Sequence, residues 1–131
     1  ASLAVTRGGE ALVAKLQASN ELMIAAIEDA GETSVARIQE ANRTFHRALL
    51  DASGSPRLRT VLETMIDMPI IVRSFYLSTQ SELKQSLHHH QDLTVAAQAQ
   101  DGELARQVMQ LHLRMAYHRF MRHRDLIRAR I

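Results

Sequence analysis

Three of the seven histidines in this 131-residue, cysteine-free chain occupy positions where a bulky apolar side chain is expected. His46 follows Asn42 by four residues, which puts both side chains on one face of a helix. His90 takes the slot that Leu83 and Leu87 predict, with Ala97 further along the same face, and His112 stands between Val108 and Met115. A neutral imidazole is tolerated in a core if it finds a hydrogen bond, and each of the three taken singly reads as such a residue. Three of them, on three helices that face a shared core, ask for a joint explanation. A divalent cation supplies it, because imidazole nitrogen is a good ligand for zinc, nickel, iron or manganese. Without cysteine only nitrogen and oxygen are available, so Asn42 would add a carbonyl oxygen and open positions would take water or an anion. In the run His88-His89-His90 successive side chains point about 100° apart. The leucine register selects His90 and leaves His88 and His89 on the surface, where His118 and His123 are also expected.

The elements that must carry these residues read as helices. Ala, Leu, Gln, Glu and Arg dominate, and no Asn-Gly or Asp-Gly pair joins two alternating runs. A first helix is expected over 9–29, with Leu12, Val13, Leu16, Leu22, Ile24 and Ile27 on its apolar face, ending at Ala30-Gly31. A second starts near Thr33 or Ser34, either of which can cap it, and carries Val35, Ile38, Asn42, Phe45, His46 and Leu49. Ser53-Gly54-Ser55-Pro56 breaks the chain, and Pro56 suits the first turn of a third helix with Leu58, Val61 and Leu62 inside. Pro69 kinks or ends that helix. Thr79 with Glu82 makes a capping box for the next, and Asp101 caps the last, whose inner stripe is Leu104, Val108, Leu111, His112, Met115 and Phe120. The fold class is all-α, an antiparallel bundle of five to six helices in a single domain spanning residues 1–131.

Composition narrows the function classes. The apolar fraction of 46% and charged fraction of 23% are those of a globular chain, and the missing cysteines exclude a disulfide scaffold and a thiolate nucleophile. No apolar run approaches the roughly 20 residues that span a bilayer, and no signal peptide opens the chain, so a cytoplasmic protein without membrane contact is expected. Six arginines fall in the last eighteen residues, and they read as a solvated or partner-facing helix end rather than a nucleic-acid surface. The chain does not begin with Met, and no turn signal precedes the first helical pattern, so a fragment of something longer is expected.

Several motifs, in order and spacing, resemble one family. They are Asn42-Arg-Thr-Phe-His46, Ser53-Gly-Ser-Pro, His90-Gln-Asp-Leu-Thr-Val-Ala96, Asp101-Gly-Glu-Leu-Ala105 and Met109-Gln-Leu-His112-Leu. Together they are similar to the FadR-type C-terminal domain (FCD) of GntR-family transcriptional regulators, over roughly residues 10 to 115. The resemblance implies an antiparallel helical bundle that binds a small effector, often a carboxylate, and that follows a winged helix-turn-helix domain binding operator DNA as a homodimer. No such DNA-binding domain is present in this chain. The opening residues resemble the tail of the family's first helix, so the domain is expected to be truncated on its N-terminal side. In metal-binding members an Asp and three His are the ligands, and these correspond to Asn42, His46, His90 and His112. Asn42 departs from the family Asp; an amide is a weaker, neutral donor and leaves the charge of a zinc or nickel ion uncompensated. Arg73, in an otherwise apolar stretch over 70–76, reads either as an arginine on the outer helix face or as a partner for a second acidic group of a small organic acid effector, with Ser74 and Tyr76 as weaker polar candidates.

The leading reading is therefore a ligand-sensing and dimerising regulatory domain without enzymatic activity. Two competitors stand beside it. One is a histidine-ligated metal-dependent hydrolase, which lacks an acid or base on the face of His46. The other is a metal-free helical interaction module with neutral core histidines.

Overall fold

Each break in the helical pattern becomes a boundary with an identifiable physical cause. The computed structural model describes residues 1–29, 31–66 and 74–129. Among them the helices are α1 (Ser2–Arg7), α2 (Gly9–Asp29), α3 (Ser34–Ser53), α4 (Pro56–Ile66), α5 (Gln80–Ala99) and α6 (Gly102–Ala129), with one helical turn at 74–77. α1 stops at Gly8, where an added Cβ would meet Leu12 Cβ at 2.5 Å, and α2 restarts through Gly9 at φ +60°. Gly54 ends α3 in the left-handed region.

The caps fall as the sequence reading places them at two of three sites. Thr79 and Glu82 form the full capping box of α5, and Asp101 Oδ1 accepts from the Leu104 N–H at 3.0 Å. At α3, Thr33 holds the cap position without a side-chain cap bond, and backbone bonds such as Ser34 N–H to Gly31 O close the turn instead. The kink expected at Pro69 lies outside the described residues, as do the side chains of Leu58 and Leu62.

Pairs of contacts fix the helix directions. Gln80 Nε2 donates to Ile27 O at 3.0 Å and Asn20 Nδ2 donates to Thr94 Oγ1 at 2.8 Å, so α2 and α5 run antiparallel. Between α5 and α6, Glu82 pairs with Arg122 and His89 meets His112, again antiparallel. α1 crosses the ends of α3 and α6: Arg7 Nη1 donates to Ser53 O at 3.2 Å, and a Cβ on Gly102 would lie 2.7 Å from Ser2 Oγ.

The core divides into two apolar clusters. One gathers Leu12 and Leu16 of α2, Phe45 and Leu49 of α3, Leu93 and Ala96 of α5 and Ala105 of α6. The other joins Met23 and Ile27 of α2, Ile38 and Ala41 of α3, and Leu83 and Leu87 of α5. Each fully buried large side chain contributes on the order of 1.5–3 kcal/mol. Between the clusters lies a layer of buried polar residues: Ser19 and Asn20 of α2, Asn42 of α3, His89, His90 and Thr94 of α5, and His112 of α6.

Three expected core positions are instead exposed: Leu22, Val61 and Leu111. In α2 the inward stripe runs Leu16, Ser19, Asn20, Met23, Ile27. Small polar residues occupy the middle of the helical period there and turn Leu22 to solvent. Replacing Thr79 by Ala should remove the α5 cap and cost about 1 kcal/mol. Urea denaturation should show a lower midpoint with an unchanged slope.

Candidate metal centre

Helix register brings the three histidines together. His46 projects from the middle of α3 beside Phe45, His90 from the middle of α5, and His112 from α6 one turn past Val108. One ring nitrogen from each of His46, His90 and His112 lies within 4.8 Å of the others. The rings pack face and edge: Phe45 stacks on His90 with centroids 4.1 Å apart and planes 6° from parallel, and His46 and His112 have centroids 5.4 Å apart. His90 and His112 are buried, while His46 keeps some open surface on a cavity that it lines.

The cluster is electrically neutral at ordinary pH. Burial pushes the His46 imidazole down to about 4. Burial, then the neighbouring His46, His89 and Arg119, push His112 down to about 3. His90 is held well below its ordinary value, by burial first and then by the surrounding histidines. Neutral imidazoles offer lone pairs, and one of these is left over: His90 Nε2 is buried without a hydrogen-bond partner among the described residues. An orphaned ring nitrogen in a cluster of three neutral imidazoles, each with a nitrogen within 4.8 Å of the others, is a donor set that fits a tetrahedral nitrogen-ligated metal such as zinc.

His89, expected on the surface, is buried and shares a 3.1 Å hydrogen bond between its Nδ1 and that of His112. α5 packs against α2 on one side and α6 on another, so two of its faces are covered. His90 packs its ring against Phe45, His46 and His112, and His89 reaches His112 as well, while His88 stays exposed. With His112 Nδ1 engaged in this way, its Nε2 is the nitrogen left to ligate, and the pair holds the ring orientation.

The cavity on which the cluster opens has a volume of about 450 Å³ and is half-enclosed. Asn42, His46 and His112 line it at one end, so the four residues singled out from sequence converge here, with His90 immediately behind. Most of the remaining wall is apolar, from Leu49, Leu50, Met109, Leu113 and Phe120, and among the described residues no acidic side chain lines it. Ser74 lies on the wall, with its hydroxyl bonded at 2.8 Å to His123 Nδ1. Tyr76 is 57% exposed and does not line the cavity, because the turn at 74–77 presents its other side inward. Arg73 lies outside the described residues. His123, expected on the surface, is buried between Ser74 and Glu82, whose Oε1 is 3.5 Å from its Nε2. Arg119, which sequence reasoning placed with the solvated arginines, is on the cavity wall. Its seven-residue spacing from His112, two helical turns, is the signal that could have found it.

A histidine cluster opening on a mostly apolar cavity inside a helical bundle is a site that could hold a metal ion and a small ligand. The chain belongs to the FCD domain family, whose model matches residues 1–115. FCD domains are the effector-binding parts of GntR-family regulatory proteins. Comparison with curated proteins and with solved structures finds no match. Among the described residues no helix is long and apolar enough to cross a membrane.

Burying neutral imidazoles makes stability pH-dependent in a defined direction. The unfolded chain titrates near the ordinary 6.5 while the folded histidines titrate lower, so acid favours the unfolded state. Stability of the metal-free protein should be full above about pH 6.5 and decline as the pH falls toward about 4. Thermal melts between about pH 6.5 and 5, above the range where carboxylates titrate, should show this decline; a flat profile there would contradict neutral burial.

Proposed function

We propose that this domain is the effector sensor of a GntR-family transcriptional regulator of the FadR type. His46, His90 and His112 hold a divalent ion, zinc or nickel, and a small organic acid binds beside it in the cavity. The observation that carries the reading is the orphaned His90 Nε2, enclosed by two further neutral imidazoles at the wall of a cavity sized for a small ligand. The ion supplies a positive charge that attracts a carboxylate into a low-dielectric pocket. Everything else is the chain's own work. Three neutral imidazoles and the Asn42 amide leave that charge uncompensated, the apolar walls exclude water, and His89 holds His112 in orientation.

Regulation then follows from which helices the ligand touches. The cavity is walled by α3, α5, α6, the turn at 74–77 and Ala1, so occupancy ties these elements together. An effector shifts the packing equilibrium only by its different affinity for the two arrangements. In the proposed regulator the domain acts as a homodimer, and its packing sets the spacing of winged helix-turn-helix domains that bind operator DNA. Family membership supports sensing rather than catalysis.

Zinc should bind the chelator-treated protein with a stoichiometry of one. At a free concentration a hundredfold above Kd it should stabilise the fold by about 2.7 kcal/mol. His46→Ala removes a ring from the cavity wall rather than from the sealed core, so the variant should fold yet lose the zinc-dependent rise in Tm. A wild-type protein that takes up neither zinc nor nickel and melts unchanged would favour the metal-free interaction module instead.

A further inference from the structure

Arg119 is a cation at the wall of a mostly apolar cavity, and among the described residues it has no anionic partner of its own. Among the described residues no carboxylate lies within ion-pair distance of it. Glu82, the acid whose charge it feels, is already committed: its carboxylate serves the Thr79 N–H, Arg122 and His123. Among the described residues no acidic side chain lines the cavity itself. Partial burial disfavours the Arg119 charge, and a partly desolvated guanidinium without an anion is costly to keep.

Its position relative to the histidine cluster is defined by one helix. Arg119 follows His112 by seven residues on α6, which puts the two on the same face, two turns and about 10 Å apart along the axis. Helical side chains lean toward the N terminus, so Arg119 leans back toward His112. Leu113, Ala116 and Phe120 share the wall with them. The cavity wall therefore carries imidazoles and Asn42 together with a guanidinium, on a lining that is otherwise mostly apolar. Arg119 also lies beyond residues 1–115, the part of the chain that matches the family.

We infer that Arg119 is the second anchor of the effector site and that the effector is a dianion, with one carboxylate at the histidine end and another acidic group on the guanidinium fork, joined by a short carbon chain. The planar fork of arginine accepts a carboxylate through two parallel hydrogen bonds, which fixes direction as well as charge. A monocarboxylate fills one end and leaves Arg119 desolvated and unpaired, so the site discriminates by number of acidic groups. This deepens the proposed function and rests on it for the role of the histidine end.

The test is calorimetric titration of the zinc-loaded protein with succinate and with butyrate, which match in length and differ in the second carboxylate. Succinate should bind at least about tenfold more tightly, as a charge-assisted pair predicts. Arg119→Gln should bring succinate down to the level of butyrate with zinc uptake retained, and the retained zinc uptake shows that the variant is folded. Arg119→Lys, which keeps the charge and loses the fork, should fall between. Wild-type protein that binds succinate no better than butyrate overturns the inference, as does Arg119→Gln weakening both acids equally or neither. If zinc is taken up but succinate gains nothing from Arg119, the second anchor fails and the metal centre stands. If zinc is not taken up but succinate binding still depends on Arg119, the metal centre fails and the anchor stands.

Discussion

A buried imidazole nitrogen must have a partner, and the architecture of this bundle is organised around several that face one another. His90 sits almost wholly out of solvent with Phe45 stacked on its ring and its Nε2 unpartnered. An apolar residue of similar shape would serve packing as well without the desolvation cost of a polar ring. What the histidines add is lone pairs directed at a common point. The two apolar clusters on either side hold the helices in the one register that brings those lone pairs together.

The same register explains why the polar layer has two halves. Toward α2, Asn20 bonds Thr94, and Thr94 bonds back to His90 O at 2.8 Å, so that side is closed by direct hydrogen bonds. Toward α3 and α6 the layer opens into the cavity, where the bonds are not closed within the protein. The open half is also the electropositive one. Among the described residues its wall carries an amide at position 42, imidazoles and a guanidinium but no acid, which suits the metal and the anionic effector proposed for it.

Much of this was legible in the residues alone. α2 is found over Gly9–Asp29 as expected, because glycines at both ends override an otherwise continuous helical pattern. The leucine period of α5 selected His90 correctly, since a residue in an apolar stripe is inward whatever its chemistry. The same logic failed for His89: a period identifies one buried face, whereas α5 is covered on two. His123 was missed for a related reason, because the far end of α6 folds against the start of α5, and Glu82 and Ser74 take up a ring that local composition assigns to solvent. Arg119 is one arginine among six in its segment, and composition averages over a helix that has both a wet side and a cavity side. Leu22 and Leu111 mislead in the opposite sense, since size suggested burial where helix rotation placed small or polar neighbours inside.

The central claim is that imidazoles from three helices share one divalent ion. X-ray absorption on the zinc-loaded protein reads this directly, because imidazole back-scattering identifies the ligands and the edge region reports their number. Three nitrogen ligands at about 2.0–2.1 Å with the remaining position oxygen are predicted; a first shell of oxygen alone, or fewer than two imidazoles, would contradict it.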